Sequence, residues 1–303
     1  MAAPAVAARP SRASHGGLLY EIGLFFRIMA RNRAGLVGLL ALIAIVIFAL
    51  VGPLLVPLDM TMNPGLIYQP PSWAHPFGTD FQGRDVWAQL VHGGREILLV
   101  AFLGALMSTA VAITFGAPAA LAGGPVESAI TFVTDIFLTI PSVPLLVVLS
   151  VFIKLNNFVL LALLIGGLAW PVLLRAVRSQ VLSLKERDFV EAAEALDLGT
   201  RHIIFREILP QMRSYIAISF VLAMTNAMYL QTALIYLGLV PLSGNNWAVM
   251  LQLAYTRGAI FYRDSLMYIL GPIIAIGVVQ LALITMTRSL EELFNPRLRT
   301  GAA

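Results

Sequence analysis

LKERDFVEAAEALDLGTRHIIFREILP, residues 184–210, decides how this chain is read. Its Glu, Ala, Leu and Arg content is strongly helix-forming, and a helix-turn-helix fits it. Ala192, Ala193 and Ala195 give the first helix a low profile, so its backbone can approach a partner groove, while Glu191 and Glu194 flank it with charge. Gly199 offers the left-handed residue that ends such a helix. Composition alone leaves a second reading open, a solvated linker whose alanines express only helix propensity.

Outward from this stretch the chain turns apolar on both sides. Apolar runs lie at about 157–181 and 214–239, and further ones at about 34–56, 97–122, 128–153 and 266–287, each bounded by charges or by Gly and Pro. The 34–56 run carries no charge, and at 1.5 Å per residue it reaches about 34 Å, enough to cross a hydrocarbon core of about 30 Å. The 303 residues would otherwise suggest two soluble domains, yet 59% are hydrophobic and 12% charged, with a mean hydropathy of +0.85. Soluble domains hold about twice that charged fraction, so a cytosolic or secreted enzyme is excluded. The predicted fold class is an all-α integral membrane protein with six transmembrane helices.

The predicted organisation is an amino-terminal segment over 1–33, a first transmembrane helix over 34–56, an extracytoplasmic loop over 57–94, a five-helix core over 95–290 containing the 182–212 loop, and a tail over 291–303. Arg9, Arg12, Arg27, Arg31 and Arg33 precede an apolar run too long for a signal peptide, which reads as an uncleaved anchor. Of the 20 Lys and Arg residues, 15 fall on the side of the termini and the 182–212 loop; Arg84, Arg95, Lys154, Arg257 and Arg263 fall on the other. The positive-inside rule therefore predicts a multi-pass cell-membrane protein with both termini cytoplasmic.

Several chemistries drop out. The absence of cysteine removes disulfides, thiolate metal sites and cysteine nucleophiles. His15, His75, His92 and His202 do not approach ligand spacing, and neither Lys154 nor Lys185 sits in a phosphate-binding Gly-Lys-Ser/Thr motif, so no metal and no ATP is expected on this chain. The basic residues cluster at the ends of apolar runs, which points away from nucleic acid. The predicted spans hold no ionisable residue at midplane, which disfavours an ion-coupled secondary carrier and implies that energy comes from outside the chain.

Glu191, Ala192 and Ala193 open an E-A-A string; Ile203 and Ile204 form an apolar pair, and Ile208, Leu209 and Pro210 close it. In this the chain resembles the permease subunits of binding-protein-dependent ABC importers, whose loop runs E-A-A, three residues, Gly, an apolar pair and I-L-P. The resemblance implies a type I importer permease (MetI-like) fold in which this loop is the cytoplasmic coupling helix docking into an ATPase subunit. Two departures stand out: Asp197 occupies the place of the family glycine, with Gly199 two positions later, and Glu207 stands where a histidine is usual. Because aspartate tolerates the left-handed region less well than glycine, Gly199 is expected to take over the turn.

A second string, HPFGTDFQGRDVWAQLVHGGREILLV at 75–100, resembles the H-P-x-G-T-D-x-x-G-R-D segment of the dipeptide, oligopeptide and nickel branch, second-permease type. His75, Pro76, Gly78, Thr79, Asp80, Gly83, Arg84, Asp85 and Gly93 match, as does the N-P-R-L-R string at 295–299. Asp80 and Asp85 bracket Arg84, which predicts local pairing; external docking of the binding protein by Asp80, Arg84 and Asp85 is the alternative. The 241–264 stretch, with Asn246 and Trp247, reads either as a partly re-entrant segment receiving the binding protein or as a surface loop. Pro141 and Pro144 are expected to bend the third span.

Ser219, Thr225, Asn226, Tyr229 and Gln231 in the fifth span supply neutral polar groups that either line a translocation path or hold helices together. Gln231 stands where the branch commonly has glutamate, a change expected to bear on substrate preference. The resemblance implies a non-catalytic subunit whose partners are a second homologous permease, two ATPase subunits carrying ATP and Mg, and an extracytoplasmic binding protein. Peptides are the first expected cargo, oligosaccharides the second and nickel the third.

Overall fold

The computed structural model describes residues 33–153, 155, 157–240 and 245–294. The basic amino-terminal segment up to residue 32, Lys154, Ser243, Gly244 and the string at 295–299 lie outside the described residues. The architecture is helical: α1 spans Arg33–Leu55, α2 Val86–Ala122, α3 Gly124–Thr139, α4 Ser142–Phe152, α5 Phe158–Lys185 and α6 Asp188–Ala195. There follow α7, a continuous helix over Gly199–Tyr236, α8 over Trp247–Thr256 and α9 over Leu266–Phe294. Five of these helices are long and apolar enough to cross a membrane, and six spans result if the bent pair α3–α4 counts as one.

That pair is bent by 84°. The break falls at Ile140 and Pro141, both extended, because a residue before proline is pushed out of the helical region and proline brings no N–H to continue the ladder. The bend expected from Pro141 and Pro144 is therefore present.

The second span begins earlier than the sequence suggests. The 57–94 segment was expected to be loop throughout, but α2 starts at Val86, capped by Asp85, whose carboxylate accepts from the Ala88 amide at 3.1 Å. Arg95 and Glu96, expected just outside the span, lie in its third turn. The apolar run looked shorter because polar residues occupy the first turns, where Gln89 bonds Asp80 and His92 bonds the Val56 carbonyl.

The core is built on close backbone approach. Gly104 of α2 meets Gly166 of α5, where an added Cβ would come within 2.7 Å of the Gly104 carbonyl oxygen. Gly93 and Gly94 form a flat bed for Trp247 of α8: a Cβ on either would stand 2.7 Å or 2.6 Å from the indole. The indole N–H donates to the Leu90 carbonyl at 2.7 Å. Helices in lipid gain little from burying apolar side chains against one another, so small residues that admit close packing carry association.

Residues 57–85 fold into a compact cap. The Asp80 carboxylate accepts from the Gln82 amide at 2.7 Å, the Arg84 amide at 2.9 Å and the Gln89 side chain at 2.9 Å. Thr79 accepts from the Gln69 amide at 2.8 Å and donates to the Leu66 carbonyl. Gly78 and Gly83 take positive φ values of 71° and 75° in these turns. The cap rests on the turn after α8 through Tyr68, whose ring stacks on Tyr262 and whose hydroxyl donates to the Arg257 carbonyl at 3.0 Å. Burial pushes the Tyr68 phenol above its usual range.

Candidate coupling site and translocation surface

At the far end of the bundle α6 is held down by Val190 and Ala193, which sink into an apolar cluster with Val177 and Val181 of α5 and Ile203, Ile204, Ile208 and Met212 of α7. The apolar pair and the closing isoleucine of the motif thus form the floor beneath the short helix. Its opposite face, Glu191, Ala192, Glu194 and Ala195, is exposed and continues into Leu196, which is 71% exposed. The expectation that all three alanines face a partner needs correction: Ala193 is buried, because residues three apart from Val190 share its inward side.

The end of α6 overturns a second expectation. Asp197, not Gly199, supplies the left-handed residue, with φ at 50°. The Leu198 amide donates to the Ala193 carbonyl at 3.2 Å and the Asp197 amide to the Glu194 carbonyl at 2.9 Å. This pair of bonds is the Schellman termination, which needs αL at the position Asp197 occupies. Gly199, at φ 71°, opens α7 instead. Aspartate is among the few residues with a side chain that visit this region, so the departure from glycine keeps the turn where it was.

The other departure also has a local cause. Residues Ile203–Ile208 form a π-helical turn within α7, and His202 Nε2 lies 3.7 Å from Glu207 Oε1 across it. A π turn brings residues five apart onto one side, so Glu207 finds its partner within its own helix. Nearby, Arg178 of α5 donates through Nε to Glu127 of α3 at 2.8 Å, Arg175 pairs with Asp135 at 2.5 Å, and Lys185 donates to the Leu121 carbonyl at 2.9 Å. Asp135 therefore belongs to the clamp joining α3 to α5.

The polar residues of the fifth span divide in two. Ser219, Thr225 and Gln231 are buried within this chain. Thr225 donates to the Val221 carbonyl at 3.0 Å, and Gln231, fully buried, donates to the Ile97 carbonyl of α2 at 2.7 Å. Of the three, Gln231 ties α7 to α2 while Thr225 bonds within its own helix. Asn226 and Tyr229 are exposed, on one stripe of α7 with Leu222, Ala233 and Tyr236. Ser219 and Asn226, seven apart, lie within about 20° of each other around the helix, so their different exposure reflects what packs at each level of the span.

The external docking set is largely corrected. Asp80, Asn246 and Trp247 are each 1% exposed. Asn246 caps α8 by accepting from the Ala248 amide at 2.9 Å, and Trp247 fills the glycine bed on α2. Asp85 pairs with His75 at 3.0 Å besides capping α2. Among the described residues Arg84 forms no ion pair with either flanking aspartate, so the local pairing expected there runs through backbone amides and His75. Tight turns leave aspartate oxygens nearer to amides than to a long cationic side chain. The 241–264 stretch, from Trp247 onward, is a packed helix and turn. Among the described residues no group of three potential metal ligands occurs.

In the sequence Arg95 counts only as an external charge and Glu96 carries no role; the signal that places both inside a helix is the N-cap at Asp85, about three turns before them.

Comparison with known proteins agrees with this geometry. Residues 112–300 match the binding-protein-dependent transport system inner membrane component family, and residues 22–71 match the N-terminal transmembrane domain of oligopeptide transport permease C. A candidate peptide permease protein of Brucella abortus is 34% identical over 274 residues, covering 88% of each chain. The oligopeptide transport system permease protein OppC of Mycobacterium bovis is 32% identical over 219 residues, covering 71% of this chain and 75% of that one. The OppC protein of Bacillus subtilis is 29% identical over 222 residues, covering 72% of each. With its motif floor beneath an exposed short helix and its set of membrane-length helices, this chain is a multi-pass membrane protein belonging to the inner membrane components of binding-protein-dependent transport systems.

Proposed function

We propose that the chain is one of two permease subunits of an ATP-driven importer and carries peptides handed over by an extracytoplasmic binding protein. The observation that carries this reading is the presentation of α6: Glu191, Ala192, Glu194, Ala195 and Leu196 form an exposed face anchored from below by Val190 and Ala193. A short helix so mounted transmits force along the bundle, since α7 runs unbroken from its end through the membrane. Two partner ATPase subunits, holding ATP and Mg, receive this face in the cytoplasm, where both termini also lie by the placement of Lys and Arg. Asn226 and Tyr229 on the exposed stripe of α7 face the second permease across the path. The chain itself performs no catalysis. Peptide as cargo is supported by the names of the relatives, a peptide permease and oligopeptide permeases.

The test uses the cysteine-free chain in its assembled transporter. Ala195→Cys is expected to crosslink to the ATPase subunit, whereas Ala193→Cys is not; uptake of labelled peptide should stop on ATP depletion and survive collapse of ion gradients. Uptake abolished by an ionophore with ATP intact overturns the mechanism. Uptake of an oligosaccharide or nickel in place of peptide overturns the cargo alone.

A further inference from the structure

Arg95 is an exposed cation in the third turn of a helix long and apolar enough to cross a membrane, and among the described residues its side chain makes no ion pair or hydrogen bond. Its depth can be read from its neighbours. His92, one turn earlier on α2, bonds the Val56 carbonyl at the end of α1 at 2.8 Å. Gly94 packs beside Ala49, where an added Cβ would stand 3.0 Å from the alanine methyl. Arg95 therefore sits level with the stretch about seven residues, or roughly 10 Å, before the end of α1, which carries no charge after Arg33. A guanidinium at that depth lies inside the apolar layer but within snorkelling reach of its outer boundary.

The same residue stands at the mouth of a groove of about 390 Å³. α1 packs on α2 and α9, and the groove opens between α1 and α7. Its walls are Val46 and Leu50 of α1, Leu98 and Phe102 of α2, Met224 of α7 and Leu283 of α9. It continues along α1 to Leu42, about 12 Å from Leu50 at 1.5 Å per residue. Arg95 is the one charged residue lining it.

We propose that this groove binds one phospholipid, its acyl chain lying along α1 and its phosphate paired with the Arg95 guanidinium. The chemistry is complementary at both ends. An apolar channel open to lipid takes a hydrocarbon chain without desolvating any polar group. The fork of N–H donors above it matches a phosphate, for which arginine is the preferred partner. No carboxylate lines the groove, so an anionic phospholipid meets no opposing charge there. Such a lipid would pin α1 to the bundle on the side that faces α7.

The experiment uses the intact transporter after detergent delipidation, with thermal unfolding and native mass spectrometry as readouts. Phosphatidylglycerol is expected to raise the melting temperature and to appear as one retained lipid per copy of this chain. An uncharged glycolipid with the same acyl chains, and inorganic phosphate alone, are expected to do neither. Arg95→Gln should bind phosphatidylglycerol roughly tenfold more weakly, as loss of a charge-assisted hydrogen bond implies, with Arg95→Lys intermediate. Val46→Trp, which fills the groove and leaves the cation in place, should abolish retention as well, so the proposal remains testable if an Arg95 variant fails to assemble. Equal response to the glycolipid or to phosphate alone overturns the proposal, as does unchanged retention in both Arg95→Gln and Val46→Trp.

Discussion

Gly104 of α2 and Gly166 of α5 meet backbone to backbone, with a built Gly166 Cβ only 2.7 Å from the Gly104 oxygen and 2.9 Å from the Met107 Cβ. This contact sets how closely the two most extensively packed spans approach. Neither atom is the end of a flexible side chain, so a methyl group there must push the helices apart. Gly166→Ala is expected to cost roughly 1–3 kcal/mol, read as a lower midpoint in thermal unfolding of the purified protein. Gly167→Ala, whose nearest neighbour is the Met107 methyl at 3.6 Å, is the control and should be nearly silent.

Asp197 pays a conformational cost that glycine does not. Asp197→Gly should leave the Schellman turn in place and stabilise the 188–198 segment by up to about 1 kcal/mol. Asp197→Val should destabilise it by about 1–2 kcal/mol, because a β-branched side chain is strained at positive φ. Hydrogen exchange at the Leu198 amide, which closes the turn on Ala193, measures both: slower than wild type in the first variant, faster in the second.

Cysteine accessibility separates the two faces of α6. Because the chain contains no cysteine, a single introduced thiol is the sole reporter. Ala192→Cys and Ala195→Cys should react rapidly with a membrane-impermeant maleimide in inside-out vesicles lacking the ATPase, and Ala193→Cys should resist. Equal labelling at all three positions would mean that the 190–193 side is not held against α7.

Gln231 offers a direct reading of path against glue. Its side chain bonds the Ile97 carbonyl and is fully buried, so Gln231→Met should lower stability by about 1 kcal/mol and leave the ranking of transported cargoes unchanged. Tyr229→Ala, on the surface stripe at 55% exposure, should do the reverse, shifting cargo ranking in uptake assays with little effect on melting. A changed cargo ranking in the Gln231 variant would restore that residue to the path.

The membrane class, most of the spans and the helix-turn-helix at 184–210 were legible in the sequence, because lipid demands long uncharged helical runs and helix formers announce themselves locally. The proline break between α3 and α4 was legible for the same local reason. Which residues of a helix face inward was not. Ala193 and Ala195 are chemically identical, and only the position of Ile203, Ile204 and Ile208 beneath α6 decides that one is floor and the other surface. For Ser219, Thr225 and Gln231 the sequence left path and glue open, because a polar side chain in a span has two uses; the approach of α2 to α7 gave Gln231 its partner in the Ile97 carbonyl. Asp197 shows the same division. Residue type predicted that glycine would hold the left-handed turn, but the hydrogen bonds back to Ala193 and Glu194 place that turn by register, and the residue found there must adopt it. The amino-acid sequence thus determined solvent, period and punctuation, which depend on each residue and its near neighbours. The tertiary structure decided facing, pairing and level, including the level of Arg95 alongside α1, because these depend on which helices meet.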